Sequence, residues 1–192
     1  VPSHKRFGRQ KAEQIRSVAK KSFGVLLGND AISGLIKQYM EHIRFSQQQI
    51  MELDENIAAL FSKFDTPITT VPGVGPVLGA AIFSEIGDIS RFRSAAKLAA
   101  FAGIDPSVRR SGEFSGIRNH MSKRGSPYLR RALWQASVIA ALHDPALKAF
   151  FQKKRAQGKS YMNVIGHVTR KMASIIFAVL RDRTPYYVPD LN

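Results

Sequence analysis

Between Ile104 and Arg131 the chain reads IDPSVRRSGEFSGIRNHMSKRGSPYLRR. Seven basic residues (Arg109, Arg110, Arg118, Lys123, Arg124, Arg130 and Arg131) stand here against two acids, Asp105 and Glu113. Glycines and serines separate them and no apolar period is sustained. A loop of this length inside a folded domain is functional or disordered. Cations along a Gly/Ser-rich backbone suit a phosphate chain, because glycine lets backbone N–H groups approach an anion. Ser111 lies between Arg110 and Gly112, a hydroxyl in a strongly positive field. Such a hydroxyl can open a phosphodiester by direct attack if a base, a metal or a positive field activates it. Arg109 and Arg110 would supply the field, while Arg118, Lys123 or Arg124 would clamp the non-bridging oxygens. The plainer role for a serine in this setting is a hydrogen bond to phosphate, and the residues alone leave both open.

Other chemistry is weakly represented. Asp54, Glu55, Glu85, Asp88 and Asp105 are scattered, with no paired-carboxylate or His-x-x-x-His spacing around the basic loop, so no metal site is expected in this chain. His120 and His143 could carry protons, but a solvated or capping role is the plainer reading of each, and His167 reads as a histidine at the edge of a core stripe. The 192 residues carry a formal charge of +15, which points to a polyanionic partner, DNA or RNA. A chain without cysteine has no disulfide or thiolate metal site and suits a reducing compartment. No signal-peptide pattern and no apolar run long enough to cross a bilayer is present, so a cytoplasmic, nucleoid-associated protein without membrane contact is expected.

The elements that must position the loop form an all-α pattern: a long coiled-coil helix, then a helical domain with a helix-hairpin-helix-like turn and the basic Gly/Ser loop. We divide the chain into a basic arm (1–31), a coiled-coil linker (32–66) and a helical domain (67–188). The arm has a short helix at Gln10–Lys21. In the linker, Ile36, Ile43, Ile50, Ile57 and Phe64 recur every seventh residue. Ile32, Tyr39, Leu53 and Leu60 fill the alternate seam positions, and Ser46 interrupts them. An Ile/Leu seam about 50 Å long favours a two-stranded parallel coil. Packing of the same helix on its own domain is the alternative. Pro67 ends the helix. In Ile68–Ile82, ITTVPGVGPVLGAAI, Gly73 and Gly75 allow a tight turn whose N–H groups, at a helix start, would meet a phosphate. A structural turn needs the same glycines. Helices follow at Pro76–Ile86, at Ser94–Ala102 with Gly103 as its stop, and at Pro127–Leu142. Asp144-Pro145 starts another that runs to Gly158, and Ser160 caps the last, to about Arg181. From Pro145 to Leu180 there are seven Lys/Arg and no acid, a second basic surface around Lys148, Lys153, Lys154, Arg155 and Lys159.

Four segments taken together carry a resemblance: VPGVGPVLGAAIFSEIGDISRF, KLAAFAGIDPSVRRSGEFSG, SKRGSPYLRRALWQA and DPALKAFFQKKRAQGK. In this order they resemble the C-terminal domain of the DEDD insertion-sequence transposases, relatives of the Piv pilin-gene invertase. The likeness covers about Ile68–Tyr186, and the preceding heptads look like that family's linker. It implies that Ser111, in the basic Ser-Gly motif, is the nucleophile of a DNA recombinase. It also implies DNA as partner, a guide (bridge) RNA in some members, and a homodimer or higher oligomer through the coil. Such proteins pair this domain with an N-terminal RuvC-like domain whose four acids bind Mg²⁺. Nothing here resembles that domain, and the chain opens on Val rather than Met. We therefore expect the linker plus C-terminal part of a longer transposase, able to bind nucleic acid but inert alone in strand transfer. A non-catalytic helix-hairpin-helix module that binds DNA or RNA is the alternative, and a coiled-coil assembly domain whose charge only aids solubility is the third.

Overall fold

Prolines at first helical positions set three of the seven α-helix starts among the described residues, and side-chain caps reinforce two of these. The computed structural model describes residues 8–22, 29–107, 110–111, 114–115 and 120–188, with backbone only at 29, 110, 111, 114 and 115. The helices are α1 (Arg9–Lys21), α2 (Asn29–Phe61), α3 (Pro76–Ile86), α4 (Ala95–Phe101), α5 (Pro127–His143), α6 (Pro145–Ala156) and α7 (Tyr161–Asp182). Single 3₁₀ turns lie at Pro67–Thr70 and Ile89–Arg91. The fold is all-α. Among the described residues its extended features are a two-residue antiparallel ladder, β1 (Arg110–Ser111) with β2 (Phe114–Ser115), and one isolated bridge.

Pro76, Pro127 and Pro145 each open a helix, where the missing N–H costs nothing and φ is preset. The Ser126 hydroxyl accepts from the Leu129 N–H at 3.0 Å, and Asp144 Oδ1 accepts from the Leu147 N–H at 2.7 Å. Ser94 and Ser160 occupy N-cap positions as expected, yet neither side chain makes the capping bond. Gly103, at φ +66, stops α4 and donates its N–H to Ala100 O.

The chain divides into two units, Val1–Met51 and Glu52–Asn192. In the first, α1 has no buried residue and the seam residues of α2 face outward, with Ile36 57% and Ile43 50% exposed. In the second, α7 packs on α4, α5 and α6, and α5 packs on α3. Leu129, Leu133, Ile165, Met172 and Ile176 are fully buried where these helices meet, each worth roughly 1.5–3 kcal/mol of apolar transfer. The expected stripe on α7 is buried, with Ile175 at its half-buried margin. Ser137 and Thr169 are buried polar groups in the same core; their hydroxyls donate to Leu133 O and Ile165 O one turn back.

The long helix starts three residues earlier than the heptads indicate and ends at Phe61, so Phe64 falls in the turn that follows. Its ring joins those of Phe61 and Phe83, with centroids 5.5–6.3 Å apart. Aromatic packing within the domain thus takes the residue that the heptad repeat assigns to the seam.

Candidate nucleic-acid interface

The basic loop stands on a short antiparallel stem. Pro106 bridges Met121 across it. The Ser107 N–H and hydroxyl both donate to His120 O, at 2.7 and 2.9 Å. Ser122 N–H donates to Asp105 O at 2.8 Å, its hydroxyl donates to the Asp105 carboxylate, and Lys123 N–H donates to Gly103 O at 2.9 Å. The stem is tied to the helices on both sides. Ser126 N–H donates to Phe101 O, closing α4 against the start of α5, and the Ser126 hydroxyl donates to the Glu85 carboxylate of α3 at 2.6 Å. Two glycines make this closeness possible. A Cβ on Gly103 would lie 2.2 Å from Arg124 O, and one on Gly125 would lie 2.0 Å from Phe101 O.

Beyond the stem, the ladder pairs Arg110 with Ser115 and Ser111 with Phe114. Ser111 is therefore a backbone-paired position in a hairpin rather than part of a featureless loop. Arg109 and Arg118 lie outside the described residues. Lys123, Arg124 and Arg131 are exposed around the stem. Arg130 is half-buried, and its Nη1 donates to Ala102 O at 3.2 Å, which satisfies the end of α4. Of the turn glycines, Gly73 (φ +83) is pressed on α5, where a Cβ would lie 2.3 Å from Ala136 O. Gly75 is exposed at the N-cap of α3 with open space around it. A 3₁₀ turn, rather than an α-helix, precedes this glycine turn, so only its second helix is built as a helix-hairpin-helix motif would have it.

Next to the stem lies a cleft of about 770 Å³. Ile104, Pro106, His120 and Met121 line it from the stem, Trp134 from α5, and Lys159, Met162, Asn163, Gly166, His167 and Arg170 from α7 and its approach. Burial first, then the charges of Lys159, Lys154 and Arg170, push the His167 imidazole below its ordinary value, which favours the neutral form. In the sequence His167 reads as a core-edge residue, apart from Asn163, Arg170 and Trp134. The available signal was the i, i+4, i+7 spacing of Asn163, His167 and Arg170, a polar stripe beside the apolar one.

The second basic surface lies on α6. Lys148, Lys153 and Arg155 are exposed, and Lys153, Lys154 and Arg155 occupy the last turn, where cations also favour the helix dipole. Lys154 and Lys171 place their ammonium groups 5.7 and 4.5 Å from the Phe150 ring centroid. The nearby acids are engaged elsewhere: Asp105 and Glu85 hold serines, Asp88 accepts from Ser90, and the buried Asp144 accepts from the Tyr186 hydroxyl at 2.9 Å. Among the described residues, no three His, Asp or Glu side chains converge as metal ligands, and no helix is long and apolar enough to cross a membrane.

Residues 65–152 match the transposase IS116/IS110/IS902 family. The insertion element IS110 uncharacterized 43.6 kDa protein of Streptomyces coelicolor is 27% identical over 187 residues, covering 96% of this chain and 46% of that protein. The insertion element IS116 uncharacterized 44.8 kDa protein of Streptomyces clavuligerus is 28% identical over 185 residues, 92% of this chain and 46% of the relative. The pilin gene-inverting protein of Moraxella bovis is 30% identical over 167 residues, 82% of this chain and 51% of the relative. The chain spans about half the length of these curated relatives. The matched segment runs from the turn after the long helix through the glycine turn and the Ser111 hairpin into α6, and over it this chain carries a domain similar to the transposase IS116/IS110/IS902 family.

Proposed function

We propose that this chain is the DNA-binding and nucleophile-bearing part of an insertion-sequence transposase, a DNA recombinase. One observation carries the reading: the segment matched to the family contains a basic hairpin, anchored on a hydrogen-bonded stem, with Ser111 in its ladder. Ser111 Oγ attacks a DNA phosphorus while the bond from phosphorus to the 3′ oxygen breaks. The phosphate becomes joined to the serine, and the proton that the serine loses is balanced by the one that the freed 3′ oxygen gains. Arg109, Arg110, Arg118, Lys123 and Arg124 oppose the charge that develops on the phosphate oxygens. Arg131, Gly75 and the α6 surface hold the DNA backbone without reading sequence. Gly73 and Arg130 act through position, the first by seating the glycine turn on α5 and the second by tying α5 to α4.

The Mg²⁺ of the reaction belongs to a RuvC-like domain elsewhere in the complete transposase, and chemistry requires both. The outward-facing Ile/Leu seam of α2 is the surface through which subunits assemble. A guide RNA would engage the same basic faces as DNA.

The test is Ser111→Ala in the complete transposase, read by excision of a marked element and by trapping of a covalent protein–DNA adduct. Loss of both, with DNA affinity retained, is expected. Undiminished excision would overturn the nucleophile assignment. It would leave the second reading, a non-catalytic nucleic-acid module, which the α6 basic surface favours because it does not depend on Ser111.

A further inference from the structure

We infer that the cleft between the loop stem and α7 is a subsite for one unpaired nucleotide of the strand delivered to the Ser111 hairpin. The inference rests on the nucleic-acid reading above and adds a second kind of contact to it. Backbone contacts need only cations and donors on a surface. This cleft is a different structure. It is concave, and at about 770 Å³ it falls within the range of ~300–1,000 Å³ typical of small-ligand sites. It brings an aromatic ring and thioethers together with polar groups of both kinds, neutral and charged.

Each part matches a part of a nucleotide. Trp134 and the Met121 and Met162 side chains offer the apolar, polarisable surface on which a base packs. Asn163 and His167 stand one helical turn apart on α7, within the same cleft. Asn presents an amide donor and acceptor, and neutral His presents one of each, a combination that recognises the edge of a base. The cations facing His167 are Lys159, Lys154 and Arg170, with His120 across the cleft. Lys159 and Arg170 also line the cleft and are placed for the nucleotide's phosphate. A base paired in a duplex does not present its edge and face together, so the occupant is unpaired. Gly166 keeps the space open. A Cβ there would meet Met121 Cε and Trp134 Cζ3 at 3.9 Å, an ordinary contact, so the helix tolerates a side chain and the vacancy belongs to the cleft rather than to packing.

Trp134 is the one tryptophan of the chain, so its emission reports on the cleft alone. The experiment titrates the chain with oligodeoxythymidylate, oligouridylate and a blunt DNA duplex. Binding is followed by anisotropy of a labelled strand and occupancy of the cleft by Trp134 emission. The expected result is an emission change with a single strand and none with the duplex. Asn163→Ala, His167→Gln and Gly166→Leu should each weaken single-strand binding about tenfold and leave duplex binding unchanged. Lys148→Ala with Lys153→Ala should weaken both alike. Response to the deoxy strand, the ribo strand or both identifies the occupant as DNA, guide RNA or either. Saturating single-strand binding with Trp134 unperturbed, or with the three cleft variants unaffected, overturns the subsite and leaves the nucleic-acid reading in place. Absence of binding to all three probes at low salt overturns both.

Discussion

Gly125→Ala should destabilise the helical domain far more than a glycine replacement ordinarily does. Gly125 sits at φ +104, outside the region an alanine adopts readily, which costs about 1–2 kcal/mol. Its new Cβ would stand 2.0 Å from Phe101 O and 2.8 Å from Phe101 C. That neighbour is backbone at the end of α4, so it retreats only by moving the helix end. The retreat breaks the 2.8 Å bond from Ser126 N–H to Phe101 O, a further ~1 kcal/mol, and van der Waals overlap adds a similar amount. The lost freedom of the unfolded chain returns about 0.5 kcal/mol. The net is about 3 kcal/mol, or a fall in Tm of roughly 6–12 °C for a chain of this size. Gly158→Ala is the matched control. Gly158 also has positive φ, +78, but nothing lies within 4 Å of its Cβ position. Its cost is conformational only, about 1 kcal/mol and 2–4 °C. Thermal melts followed by circular dichroism at 222 nm compare the two directly. Equal losses would show that the stem is not seated on α4 by close approach and would refute the reasoning.

Gly166→Ala, in the middle of α7 with only 3.9 Å contacts, should raise stability by about 0.5–1 kcal/mol in denaturant titration, since helix propensity improves without a clash. Tyr186→Phe tests the hydrogen bond from the Tyr186 hydroxyl to Asp144. Burial, then the hydrogen bond to Asp144, raises the Tyr186 hydroxyl from 10.0 to about 12. The stabilisation from this group is therefore complete below pH 10 and lost as pH rises from 10 towards 12. The variant should be less stable than the parent at pH 8, and the gap should close above pH 11; a constant gap would discount the hydroxyl. Ile43→Asp with Ile50→Asp should lower the mass found by sedimentation, whereas an unchanged mass would dismiss the seam as an assembly surface. In the full-length transposase, Ser111→Ala should abolish excision without loss of DNA affinity.

Punctuation and periodicity in the sequence located most helices to within a few residues, because caps, prolines and apolar stripes act locally. Asp144 before Pro145, Gly103 after α4 and the Val164–Val179 stripe each mark a boundary or a face that the chain adopts. The stem was not legible. Its pairing of Ser107 with His120 and of Asp105 with Ser122 joins residues 13 and 17 apart in a stretch with no period. Asp105 thus read as a scattered acid when it is a tie across the stem. Gly73 read as a phosphate contact or a turn, and only the approach of α5 showed what the missing side chain makes room for. The cleft escaped notice for the same reason. Asn163, His167 and Arg170 lie on a helix dominated by its core stripe, and their common purpose appears only when Trp134 and the stem are brought alongside.

The placement of the acids connects the fold to the division of labour in the reaction. A serine nucleophile benefits from surrounding positive charge, whereas a magnesium site needs several carboxylates close together. The two requirements conflict within one small loop, because under the proposed mechanism each carboxylate added beside Glu113 near Ser111 would weaken the field that favours a serine alkoxide. In this domain Asp105 and Glu85, the acids tied to the stem and its anchor, are spent on Ser122 and Ser126. Their charge is localised in hydrogen bonds at the base of the hairpin, while Lys123, Arg124 and Arg131 remain exposed around it. Under the mechanism we propose, a domain built this way would favour the attacking oxygen and leave metal binding to carboxylates on another element. Replacing Asp105 by Asn would then loosen the stem without removing a metal ligand, so excess Mg²⁺ should not rescue the full-length variant, whereas lower temperature should.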